Sequence, residues 1–209
     1  KVPNYGLERI AGKLDEVPYY VDFTTHQDYS IDSIPKTSIY GFSVMRPNFG
    51  SSMNMARDLK KRDPHCKIIF GGPSVTDLGK KIMDNECIDY CIEGMNENSF
   101  RKLVNGKEPA KIPNLIYRKR GKVTENCKEP IPKGWEKIMP GRLNQVIEGR
   151  YRKDLIIVLG SLGCSHKCGF CNITKSQPIF AERKDRHIIK EIKQRGKKDH
   201  KLQIMHQNF

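Results

Sequence analysis

Short apolar runs alternate with amphipathic stretches along most of the chain. Leu7, Ile10, Ala11 and Leu14 recur at i, i+3, i+4 and i+7, the period of a helix with one buried face. Val17 to Phe23 reads as a strand with Pro18 near its start. Ser38 to Val44 reads as a second, more buried strand, after which Ser51 or Ser52 can cap a helix burying Met55, Ala56 and Leu59. Lys67 to Phe70 is a third strand, ending in Gly71-Gly72-Pro73. Ser74 with Asp77 then forms a capping-box-like start for a helix that buries Val75, Leu78 and Ile82. Ile88 to Ile92 is a fourth strand, followed by a helix carrying Phe100, Leu103 and Val104 and stopped near Gly106.

This alternation predicts an α/β domain: a parallel sheet with right-handed crossovers, doubly wound and flavodoxin-like. Its ligand crevice lies beyond the carboxyl ends of the strands, where Ser43, Gly71, Gly72, Glu93 and Gly94 fall. Residues 111–123 read as a hairpin turning at Gly121. From Lys128 to about residue 150, prolines and glycines break any long element, and Trp135 is expected to pack this linker against a domain. A second part runs over 151–209. It holds a continuous apolar strand, Leu155 to Leu159, then a helix with Ile188, Ile189 and Ile192 in a stripe, then a strand from Lys201 to Met205. The organisation is therefore 1–127 for the α/β domain, 128–150 for the linker and 151–209 for the second part. No strand precedes the first helix, and one strand–loop–helix–strand unit does not complete a barrel. The sequence is thus expected to be incomplete at the carboxyl end and at the amino end.

Composition adds a compartment and a surface. With 37% hydrophobic and 30% charged residues, the 209-residue chain is globular and heavily solvated. No apolar run approaches the ~20 residues of a membrane span, and no secretory signal opens the chain. Seven cysteines in this setting argue for a reducing cytoplasm rather than a disulfide framework. The net charge is +14, with basic density at Arg118-Lys119-Arg120 and from Arg183 to Lys201. Lys190, Lys193 and Lys197 share the outer face of a helix. A solvated surface accounts for this; attraction to an anionic partner such as RNA is the sharper alternative.

The chemistry concentrates in Cys164-Ser165-His166-Lys167-Cys168-Gly169-Phe170-Cys171, which leaves the apolar strand through Gly160-Ser161-Leu162-Gly163. Zinc sites usually take four ligands, often as two separated pairs. Iron–sulfur clusters are held by cysteine thiolates, and three on one loop leave one iron of a four-iron cluster open. His166 as a fourth ligand would close that iron, so it is expected to face solvent. Cys66, Cys87, Cys91 and Cys127 form no second tight trio and are expected to be ordinary cysteines, Cys91 as a buried hydrophobe.

The C-x-x-x-C-x-x-C spacing, with Phe170 before the last cysteine, resembles the radical S-adenosylmethionine (SAM) enzymes. The resemblance implies a 4Fe-4S cluster on Cys164, Cys168 and Cys171, with SAM on the open iron. It also implies reductive cleavage to a 5′-deoxyadenosyl radical, a reductant such as flavodoxin or ferredoxin, Phe170 beside the adenine, and Gln207 and Asn208 near the SAM amino group. Ahead of it, Ser43-Val44-Met45 resembles the Ser-x-Leu element of the B12-dependent members, and Gly71-Gly72 their glycine pair. Glu93-Gly94-Met95-Asn96-Glu97 looks like a degraded Gly-Glu-Gly-Glu loop. This wider resemblance implies a cobalamin-binding domain, with Ser43, Gly71 and Gly72 lining the pocket for the dimethylbenzimidazole tail, and the first unit of a radical SAM barrel after it. It also implies methyl transfer to an unactivated carbon of a small-molecule or peptide substrate that the sequence does not name. The cobalt-binding Asp-x-His-x-x-Gly element of many cobalamin domains is absent; Asp63-Pro64-His65 lacks the glycine, precedes a strand and reads as a turn. An RNA-modifying methylthiotransferase shares the cysteine loop, but its amino-terminal cysteine trio has no match here. A non-catalytic metal-binding module is the third alternative.

Overall fold

The computed structural model describes residues 4–20, 30–129, 131, 133–141, 143–145, 154–166, 168–171, 173 and 179–205. Its centre is a five-stranded sheet in the order β2-β3-β4-β5-β6: Ile39–Ser43, Lys67–Gly71, Tyr90–Ile92, Leu115–Lys119 and Lys122–Glu125. The first three strands are parallel; β5 and β6 add the hairpin antiparallel, turning through Arg120 and Gly121 at positive φ. The sheet is therefore flavodoxin-like with an antiparallel extension.

Side-chain alternation along the strands divides the core. Ile68, Phe70, Cys91 and Ile116 face α2 (Phe49–Arg62) and α3 (Pro73–Leu78), burying Met53, Ala56, Leu59 and Val75. Ile69, Ile92, Leu115 and Tyr117 face the opposite side, against Phe100, Leu103 and Val104 of α4 (Glu97–Val104). Each fully buried side chain of this size contributes roughly 1.5–3 kcal/mol relative to exposure.

Several local expectations are corrected. The second strand of the sequence reading is the sheet edge, and only Phe42 and Val44 in it are fully buried. Helix α2 starts at Phe49, so Ser51 and Ser52 lie in its first turn rather than capping it. Helix α3 has Gly72 as its N-cap and Pro73 in its first turn, so no Ser74–Asp77 box forms. Leu78 is exposed, and Ile82 is buried from the 3-10 segment Gly79–Asp84. Of the strand expected over 17–23, Val17 and Pro18 lie outside any strand, residues 21–23 lie outside the described residues, and β1 (Tyr19–Tyr20) pairs with β7 (Asn144–Gln145) rather than with the main sheet. Asp63-Pro64-His65 is a turn, as expected.

Helix α1 (Tyr5–Ala11) buries Tyr5 and Arg9 beside Ala11, while Leu7, Ile10 and Leu14 are half-buried. The linker returns across it. Gly141 N–H donates to the Glu8 carbonyl at 2.7 Å, and a Cβ on Gly12 would lie 1.8 Å from the Met139 carbonyl oxygen. Only glycines allow the two backbones to cross this closely. Trp135 is buried with Tyr5, Ile157, Leu159 and Leu162, as expected of a linker anchor.

The second part pairs β8 (Leu155–Leu159) with β11 (Lys201–Met205) in parallel, while β9 (Ser161–Leu162) pairs antiparallel with β10 (Ala181–Glu182). Helix α5 (Asp185–Arg195) does not bury its expected isoleucine stripe: Ile189 is 49% exposed, Ile188 and Ile192 are half-buried, and Glu191 is the one fully buried residue.

Candidate functional site

Two regions lie where the sequence placed chemistry. The first is the crest of the sheet. Ser43 and Gly71 end β2 and β3 in register. The backbone then weaves the strand ends together: Val44 N–H donates to the Gly71 carbonyl at 2.7 Å, and Ser74 N–H to the Val44 carbonyl at 3.1 Å. Gly72 has φ 98°, and a Cβ there would lie 2.8 Å from the Val44 oxygen and 2.9 Å from its nitrogen. At Gly71 the nearest atoms to an added Cβ are backbone oxygens at 3.8 Å and 3.9 Å, which is ordinary contact.

Beside this weave opens a cleft of about 380 Å³, lined by Arg46, Phe49, Ser74, Asp77 and Leu78. Arg46 and Asp77 face each other across it at 3.6 Å. The Ser74 hydroxyl is buried and has no hydrogen-bond partner among the described residues, an arrangement that costs free energy unless a ligand or water completes it. The sequence reading missed this residue because Ser-x-x-Asp after a glycine pair looks like a cap. After β4, Glu93 is buried and ion-paired with Lys128 at 3.0 Å. Burial pushes its carboxyl above the usual range, against the opposing pull of Lys128. An orphaned hydroxyl lining an open cleft at the strand ends, next to a tight glycine turn, fits a ligand laid across the carboxyl edge, as the cobalamin expectation requires.

The second region is the cysteine loop. It leaves β8 at its carboxyl end and passes through β9 and Gly163, which has φ 69°. Cys164 and Cys171 are half-buried and Cys168 is exposed. His166 N–H donates to Cys164 Sγ at 3.4 Å, and Cys171 N–H to the Cys168 carbonyl at 3.1 Å. His166 is exposed, and Phe170 is 92% exposed. No disulfide joins any of the seven cysteines. Among the described residues no three His, Cys, Asp or Glu side chains gather into a metal-holding group, this trio included. What fits a cluster is the donor set: three accessible thiols on one loop at the end of a parallel strand. Gln207 and Asn208 lie outside the described residues. Cys66 and Cys91 are buried, and burial raises both thiols, Cys91 to about 12; this is the behaviour of core residues rather than ligands.

The family model described as the B12 binding domain matches residues 1–104. No curated protein matches the sequence. Among solved structures, the radical S-adenosylmethionine methyltransferase TsrM from Kitasatospora setae, with tryptophan substrate and a SAM analogue bound, is similar with a TM-score of 0.75 at 17% identity. That similarity covers 98% of this chain and 45% of TsrM. The same enzyme with cobalamin and a [4Fe-4S] cluster bound gives the same TM-score and identity, over 46% of its length. The cobalamin-dependent S-adenosylmethionine radical enzyme OxsB, with aqua-cobalamin and SAM bound, is similar with a TM-score of 0.58 at 15% identity, over 86% of this chain and 26% of OxsB. This chain thus spans less than half the length of each of these relatives. Residues 1–104 match the B12-binding domain model, and the chain shares the fold of the corresponding parts of TsrM and OxsB.

Proposed function

We propose that this chain is part of a radical SAM enzyme that uses cobalamin for methyl transfer to an unactivated carbon. The observation that carries the reading is the pairing of a B12-binding domain with a three-cysteine loop at the carboxyl end of β8, on one fold. Cys164, Cys168 and Cys171 would hold the cluster, and Ser43, Gly71, Gly72 and Ser74 would meet the cobalamin tail. With these groups bound, one electron from a flavodoxin- or ferredoxin-type donor would split one SAM into methionine and a 5′-deoxyadenosyl radical, and cobalamin would carry a methyl group supplied by a second SAM. The protein's own part is positional. The strand ends present backbone and small residues for close approach, and Phe170, exposed on the cysteine loop, would cover the adenine of SAM. A reducing, cytoplasmic setting suits such a site.

Anaerobic reconstitution with iron and sulfide, followed by electron paramagnetic resonance of the reduced protein with and without SAM, tests this. A four-iron signal that shifts on adding SAM is expected, and it should vanish in the Cys164→Ala, Cys168→Ala and Cys171→Ala variants. Bound zinc, or an iron signal indifferent to SAM, would instead mark a non-catalytic metal module. Hydroxocobalamin is expected to bind with a change in its visible spectrum, and Ser74→Val should weaken that binding.

A further inference from the structure

Strand β8 has β11 on one edge and, among the described residues, no strand on the other. Gly160 N–H donates to the Met205 carbonyl of β11 at 2.8 Å. By strand alternation, Leu159 and Ile157 then turn their backbone groups to the open edge. Side chains satisfy them there. Leu159 N–H donates to Tyr5 Oη at 3.3 Å, Arg183 Nη1 donates to the Leu159 carbonyl at 3.4 Å, and Arg195 Nη1 to the Ile157 carbonyl at 2.8 Å. All three side chains converge on Glu191, which has no solvent exposure. Tyr5 Oη lies 3.4 Å from both of its carboxylate oxygens, Arg183 Nη1 is at 2.5 Å and Arg195 Nη1 at 2.8 Å.

Tyr5 stands apart from the other two. It belongs to α1, within the residues that match the B12-binding model, whereas Arg183, Glu191 and Arg195 belong to the second part. The same face of α1 carries Arg9, whose guanidinium lies 6.0 Å from the Tyr5 ring centroid, whose Nε meets Glu97 of α4 at 2.6 Å and whose Nη2 donates to the Trp135 carbonyl at 3.1 Å. One short helix therefore bridges the B12-binding domain, the linker and the last residue of the strand that launches the cysteine loop. We infer that Tyr5 is a positioning residue: through its hydroxyl, the B12-binding domain fixes the end of β8 and so the root of the Cys164–Cys171 loop. This rests on the reading of that loop as a cluster site. Arg195 Nη2 also meets Glu8 Oε2 of α1 at 2.7 Å, so two guanidiniums face two carboxylates; buried, hydrogen-bonded charge of this kind specifies one arrangement, because any slip strands an ion away from water.

The test is Tyr5→Phe, which removes one hydroxyl and keeps the ring. Hydrogen exchange is read at Leu159, with the β2–β3 amides as the internal standard. The variant should exchange roughly threefold to tenfold faster at Leu159, the effect of one lost net hydrogen bond, with the standard unchanged. At equal iron content, the reconstituted variant should show a smaller SAM-induced shift in its paramagnetic spectrum than the parent. An unchanged rate at Leu159, or an intact SAM response in a variant that has merely lost thermal stability, overturns the inference. If the parent itself shows no SAM-responsive iron signal, the proposed function falls, and unchanged or accelerated exchange at Leu159 still decides whether Tyr5 holds the strand end.

Discussion

Gly72 is a glycine for two separable reasons: its φ of 98°, and the Val44 backbone standing less than 3 Å from any Cβ it might carry. Its neighbour Gly71 meets neither condition. Gly72→Ala should therefore cost about 2–4 kcal/mol from backbone strain and clash combined, while Gly71→Ala should stay within about 1 kcal/mol, read as shifts in urea midpoint at constant m. Equal costs would mean that the weave at the strand ends does not hold. The sequence marked the pair as one element, since both glycines suit a turn or a ligand approach; only the backbone separates a structural glycine from one with room beside it. Ser74 was illegible for a related reason. Pro73 occupies the first helical turn and shifts the cap to Gly72, so the serine is carried into the buried side of the cleft.

At the level of elements, the two helices read least well are those packed on the open edge of β8. Their apolar periodicity put Leu7, Ile10 and Leu14, and later Ile188, Ile189 and Ile192, in the core. Ala11 is buried as its period predicts, but the other buried positions are Tyr5, Arg9 and Glu191. Tyr5 and the arginines gathered by Glu191 serve a strand edge whose donors and acceptors aliphatic side chains cannot satisfy, while Arg9 pairs with Glu97. The helices on the sheet's own surfaces turned their apolar side chains toward it, with Ala56 and Leu59 fully buried and Leu103 and Val104 half-buried, although Leu78 of α3 is exposed. The ion pair that docks α1 on α4 is itself testable. Arg9 Nη1 and Glu97 Oε2 lack hydrogen-bond partners, so the pair specifies more than it stabilises. Arg9→Met alone should cost roughly 3–5 kcal/mol by leaving the Glu97 carboxylate buried without its partner, and Arg9→Met with Glu97→Leu should recover most of that. Additive losses in thermal denaturation of the single and double variants would refute the coupling.

For the whole molecule, the alternation of strands and helices was enough to give a doubly wound sheet, while the antiparallel attachment of the hairpin and the course of the linker required long-range pairing that no local pattern encodes. Among the described residues no helix is long and apolar enough to cross a membrane. Global stability also carries a pH signature. Burial lifts the Cys91 thiol from 9.0 to about 12. Its contribution is fully present below pH 9 and is lost as pH rises toward the folded value, at up to about 1.4 kcal/mol per unit. Cys91→Ala should flatten the fall in chemical-denaturation midpoint between pH 9 and pH 11; an unchanged slope would assign the alkaline loss to other groups. The crossing of Gly12 and Gly141 has a consequence for recombination. The five-stranded sheet lies on the stretch of chain between these two residues, so the sheet is an insert on a single stem. A chimera built by exchanging that insert would leave Arg9 behind on the recipient and take Glu97 away with the donor. Any replacement sheet must therefore bring its own carboxylate to that spot, or the graft inherits a buried guanidinium with nothing to answer it.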